Sequence, residues 1–154
     1  MLSAYKLVPA GTTSYSVSVD NVTLENLPTA KFASGGDYSL LVYGTTSGDA
    51  AVSVFTDNNL LPSSGAKLRL INGAVPLGGL ALSVNYATQS SDIGYGDASE
   101  YSGITSGTTR LDLTSPSSMF PGYSNTVTIA ATSVYSLFVL GTSNNPVVVL
   151  NKER

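Results

Sequence analysis

A chain of 154 residues with no cysteine and no histidine is barred from disulfides, thiolate metal sites and Ser-His chemistry, so neither catalysis nor a cofactor is expected of it. Charged residues are 11% against roughly 25% in an average domain, with Ser and Thr filling the gap. The net charge of −3 offers no basic stripe to nucleic acid. A surface wetted by hydroxyls suits a secreted or cell-surface β protein and protects sheet edges poorly against self-association.

No stretch holds apolar residues at three-and-four spacing for a dozen positions, so the chain is expected to be all-β. Pro9–Gly11 reads as a turn, and SYSVSV (Ser14–Val19) as a strand with Tyr15, Val17 and Val19 on one face. DYSLLVYG (Asp37–Gly44) is apolar on both faces and reads as a central strand; AVSVFT (Ala51–Thr56) alternates around Val52 and Val54. TDNNLLPSSG (Thr56–Gly65) reads as a linker in which Asp57, Asn58 and Asn59 supply turn chemistry. AKLRLIN (Ala66–Asn72) places Leu68 and Leu70 inward and Lys67 and Arg69 in solvent, while LALSVNY (Leu80–Tyr86) buries Leu80, Leu82, Val84 and Tyr86. After a turn at Thr105–Gly107, the long loop Ser115–Asn125 reads as a crossover between sheets or a binding loop. VYSLFVLG (Val134–Gly141) is a second central strand, and PVVVLN (Pro146–Asn151) closes the chain with its Pro at the start, where a missing donor does least harm.

The chain nearly repeats itself. YKLVPAGTTSYSV (Tyr5–Val17) returns as YSGITSGTTRLDL (Tyr101–Leu113), and YSLLVYGT (Tyr38–Thr45) as YSLFVLGT (Tyr135–Thr142). That spacing is one small β-sandwich, and Ala66–Glu100 has no counterpart before Tyr5. Residues 1–60 are therefore expected to be the C-terminal half of a first sandwich repeat, and 61–154 a complete second one. KLRLING (Lys67–Gly73), ALSVNY (Ala81–Tyr86), SEYSGITSGTTRLDL (Ser99–Leu113), VYSLFVLGT (Val134–Thr142) and VVVLN (Val147–Asn151), in that order, resemble the bacterial domain of unknown function 4397 family. The resemblance covers Ala66–Arg154, and its latter half covers Tyr5–Asn58. It implies an exported, antiparallel immunoglobulin-like β-sandwich, often in tandem, with no activity or functional residue to carry over.

Site candidates are few. Ser3–Lys6 and Ser64–Lys67 match the Ser-x-x-Lys spacing of penicillin-recognising enzymes, but on strands or turns such positions point to opposite faces. Asp92, Asp97 and Glu100 could offer oxygens to calcium, yet they lack EF-hand spacing and read as a solvated loop. Lys31, Lys67 and Lys152 read as surface lysines, the sharper alternative being an intramolecular Lys–Asn isopeptide bond. Tyr86, Tyr95, Tyr101 and Tyr123 lie in or beside loops, and Tyr95 and Tyr123 are the candidate glycan or peptide contacts. Tyr5, Tyr101, Tyr38 and Tyr135 recur at equivalent positions, which fits a structural role.

A sandwich lacking its opening strands leaves a groove of backbone donors and acceptors to be covered. A longer native chain, packing of the half repeat on the complete one, or strands inserted by a neighbour would each cover it. The expected function is a non-catalytic exported structural protein that self-associates by β-strand addition into a homo-oligomer, filament or cell-surface matrix. The alternative is a carbohydrate- or peptide-binding adhesion module using the Tyr-rich loops. MLSAYKLVPAG has no basic start and no apolar run, so a leader is expected to be absent from this chain, and no window approaches a membrane span.

Overall fold

The computed structural model describes residues 5–154 apart from Thr13, Asn26, Pro76 and Gly78. Ser3, of the first Ser-x-x-Lys pair, lies outside them. Twelve strands follow in chain order among the described residues. They are β1 (Ser18–Val19), β2 (Val22–Thr23), β3 (Asp37–Tyr43), β4 (Ala51–Asp57), β5 (Ala66–Val75), β6 (Leu80–Val84), β7 (Ala87–Ile93), β8 (Ser102–Ile104), β9 (Gly107–Thr114), β10 (Tyr123–Ile129), β11 (Ser133–Thr142) and β12 (Asn145–Lys152). No helix of the described residues is long and apolar enough to cross a membrane.

The complete repeat is a β-sandwich. One sheet has the order β10-β9-β6-β7 and the other β12-β11-β5-β8. Every pair is antiparallel except β5–β11, which runs parallel from Ser133↔Ala66 to Thr142↔Val75. No hairpin can join a parallel pair, and here β6 to β10 make the connection. Period-two alternation turns Leu68 and Leu70 of β5, Leu80, Leu82 and Val84 of β6, Leu111 and Leu113 of β9, and Leu137 and Val139 of β11 into one core between the sheets.

The hairpin β3–β4 forms a third layer on the outer face of β12-β11-β5-β8. Leu41 packs on Ile71 and Phe138, with Tyr43, Phe55, Leu140 and Val149 around them. This is why β11 reads as apolar on both faces: both faces are inside. It also overturns the solvent placement of Arg69, which is only 2% exposed. The alternation of β5 was read correctly, but its second face meets another layer rather than water.

Other expectations shift locally. Tyr86 is not buried: with Asn85 it occupies the tight β6–β7 turn at positive φ (48° and 69°), and the residue is 78% exposed. Ser115–Asn125 is no crossover, because Tyr123–Asn125 already belong to β10, which pairs with β9 in one sheet. Of SYSVSV only Ser18–Val19 is strand, and Asp37–Tyr43 lies in a two-stranded sheet rather than at the centre of one. Thr56–Gly65 is not a free linker, since Asp57 closes β4 with a buried side chain.

Candidate functional site

The side chains with unusual chemistry meet where the third layer joins the sandwich. Arg69, on the outer face of β5, sends Nη2 to Asp57 Oδ1 at 2.6 Å and to Glu153 Oε1 at 3.0 Å. Its Nε donates to Ser136 Oγ at 2.7 Å and Nη2 to Ser39 Oγ at 3.2 Å. The guanidinium also lies 4.7 Å from the centre of the Tyr101 ring. Burial alone would lower the Arg69 pKa, but Asp57 and Glu153 more than reverse that and hold it above its ordinary value. One cation thus faces two carboxylates in a water-poor site.

The two carboxylates are equivalent in the repeat. Tyr5 Oη donates to Asp57 Oδ2 at 2.7 Å, and Tyr101 Oη to Glu153 Oε2 at 2.7 Å. Ser39 donates to Asp57 and Ser136 to Glu153. The hairpins match residue for residue: Tyr38 faces Thr56 and Leu40 faces Val54, as Tyr135 faces Lys152 and Leu137 faces Leu150. Ala33 N donates to Tyr38 Oη at 2.9 Å, and Ala130 N to Tyr135 Oη at 3.0 Å. Even the irregular start keeps a trace, because Gly11 N donates to Phe32 O where Gly107 pairs with Ile129. Each recurring tyrosine therefore serves the fold through its hydroxyl.

The copies differ in what covers them. Leu137 and Val139 are 0% exposed under the facing sheet, whereas their equivalents Leu40 and Val42 are 44% and 42% exposed. β11 has β5 along one edge; among the described residues β3 pairs with β4 alone. Val8, the equivalent of buried Ile104 in β8, is 54% exposed. A hollow of roughly 520 Å³, lined among others by Val22, Leu24, Leu27 and Val52, marks where the first copy is underfilled. Asn59 is buried, donates to Asp37 Oδ2 at 3.1 Å, and has no partner for its Oδ1 among the described residues.

Tyr95 and Tyr123 belong to different clusters. The Tyr95 ring meets Tyr43 edge-on at 4.8 Å beside the third layer, and Gly96 packs its backbone against the same Tyr43. Tyr123, on β10, packs against the sandwich core and accepts from Asn125 Nδ2 at 3.1 Å. Among the described residues no three His, Cys, Asp or Glu side chains converge to hold a metal, so Asp92, Asp97 and Glu100 do not form such a group. Lys67 Nζ donates to Asn58 O at 2.8 Å and Asn58 Oδ1 at 3.0 Å.

The Arg69–Asp57–Glu153 joint is what sequence reading missed. Its only advance signal was the recurrence of Tyr and Ser at matched positions, with an acidic residue at the end of each hairpin.

A family model described as a domain of unknown function (DUF4397) matches residues 66–154, more than half of the chain. The chain belongs to this family. No curated protein matches it. The DUF4397 match starts at the first residue of β5, so it spans the complete sandwich; Asp57, which reaches Arg69, comes from outside the matched stretch.

Proposed function

We propose that this DUF4397 chain is a non-catalytic structural protein, working outside the cell, that assembles with further copies of its own repeat by β-strand addition at β3. The observation that carries the reading is the contrast between equivalent strands: β11 is flanked by β5 with Leu137 and Val139 fully covered, while β3 has an edge unpaired among the described residues and exposed Leu40 and Val42. Such an edge accepts another strand through main-chain hydrogen bonds, with side-chain complementarity setting the choice of strand. Low charge and abundant hydroxyls leave few Lys or Glu to block it. A head-to-tail contact of this kind propagates into filaments or matrices.

Sedimentation across a wide concentration range, with electron microscopy of the most concentrated sample, tests this. The expected result is mass that rises with concentration and falls back to monomer when Leu40 and Val42 are both changed to Lys. A wild-type chain that stays monomeric throughout would refute it. Tyr95 and Tyr123 draw no comparable support, because both rings are already engaged by protein neighbours.

A further inference from the structure

The internal equivalence also specifies what β3 should receive. In the complete copy the strand beside β11 is β5, running parallel, with Leu68 opposite Tyr135, Arg69 opposite Ser136, Leu70 opposite Leu137 and Asn72 opposite Val139. Transferred to β3, the same register puts Arg69 of a guest opposite Ser39 and Leu70 opposite Leu40. We infer that the occupant of β3 is a β5-type strand from another copy of this repeat, aligned parallel and bearing an arginine opposite Ser39. This rests on the strand-acceptor reading above and adds to it the identity, direction and register of the guest.

Three observations converge on that choice. The first is backbone: the edge of β3 left unpaired among the described residues is the edge that β5 occupies on β11. The second is apolar fit, since Leu40 and Val42 on β3 and Val8 in the segment equivalent to β8 are exposed on either side of the missing strand's place. The third is charge. Asp57 and Glu153 share one guanidinium, and Asn59, tied to Asp57 through Tyr5, holds a buried Oδ1 without a partner among the described residues. A second arginine, entering beside Ser39 as Arg69 enters beside Ser136, brings the joint to two cations for two carboxylates. A guest with an apolar or acidic residue there leaves the excess charge buried.

The test uses the full chain and a synthetic peptide with the sequence Ala66–Val75, labelled at its N-terminus and followed by fluorescence anisotropy. The peptide is expected to bind, and its Arg69→Gln version to bind at least ten-fold more weakly, with Lys67→Gln within about three-fold of the parent, because Lys67 lies at the rim. The chain contains no cysteine, so register can be read by disulfide trapping. A Leu40→Cys chain should trap a Leu70→Cys peptide and not an Ala74→Cys one. Equal binding by the parent peptide and its Arg69→Gln version, or trapping in another register, would overturn the β5-type assignment while leaving β3 a strand acceptor. If neither this peptide nor an alternating Val-Thr peptide of equal length binds, both readings fall.

Discussion

Changing Arg69 to Met removes the cation from the joint and keeps much of the side-chain bulk. Asp57 and Glu153 are then left with side chains 0% and 2% exposed and no cation between them. Breaking a buried ion pair by deleting one partner costs about 3–5 kcal/mol, and two stranded carboxylates place this case at the upper end. Set against a typical net stability of about 5–15 kcal/mol, that is a third or more of the total. The chain has no Trp, so urea unfolding is followed by circular dichroism at neutral pH. With a urea slope near 2 kcal/mol per molar, the midpoint should fall by about 2 M. Replacing the three ions together (Arg69→Met with Asp57→Leu and Glu153→Leu) removes the stranded charges and should return part of that loss, the rest persisting because the Tyr5, Ser39, Tyr101 and Ser136 hydroxyls lose their carboxylate acceptors. A single Arg69→Met variant whose midpoint falls by less than about 0.5 M would refute the argument, because the carboxylates would then not need the guanidinium.

The remaining expectations use the same unfolding assay. Leu137→Ala should cost about 2–5 kcal/mol and its exposed equivalent Leu40→Ala less than about 1, so equal costs would contradict the unequal covering of the two copies. Tyr135→Phe should cost about 1 kcal/mol through loss of the acceptor for Ala130 N. Gly65→Ala should cost about 2 kcal/mol or more: at φ +62° its new methyl would sit 2.5 Å from Ile104 O, a backbone atom that cannot swing aside. Burial first, then the hydrogen bond to Asp57, pushes the Tyr5 pKa up to about 12, and burial with the Glu153 bond raises Tyr101 further. A raised folded pKa keeps its stabilisation below the unfolded value near 10 and loses it as pH climbs through the folded one. The urea midpoint should therefore hold up to about pH 9.5 and decline above about pH 10, with a shallower decline in Tyr5→Phe and Tyr101→Phe together.

Much of the fold was legible because strand alternation and the internal repeat are local signals. Leu68, Leu70, Leu80, Leu82 and Val84 all point where their spacing placed them. Arg69 was misplaced for a reason intrinsic to such signals: alternation separates two faces but does not say that the second is water. Tyr86 was misplaced because continuing the alternation hid a two-residue turn, Asn85–Tyr86, lacking the usual glycine. β7 (ATQSSDI) went unread because its side chains are polar and largely exposed. Beyond the recurrence of Tyr and Ser at matched positions, the joint left no local trace, since Tyr5, Ser39, Asp57, Arg69, Ser136 and Glu153 span nearly the whole chain and only folding brings them together.

Because β3 and β4 rest on the outer flank of β5 and β11, the two copies are not beads on a string. Cutting the chain just after residue 60 and removing the first piece would wet Ile71 and Phe138 and leave Arg69 with one of its two anions. The first segment thus finishes the outer interior of the second, while its own face at Leu40 and Val42 stays exposed.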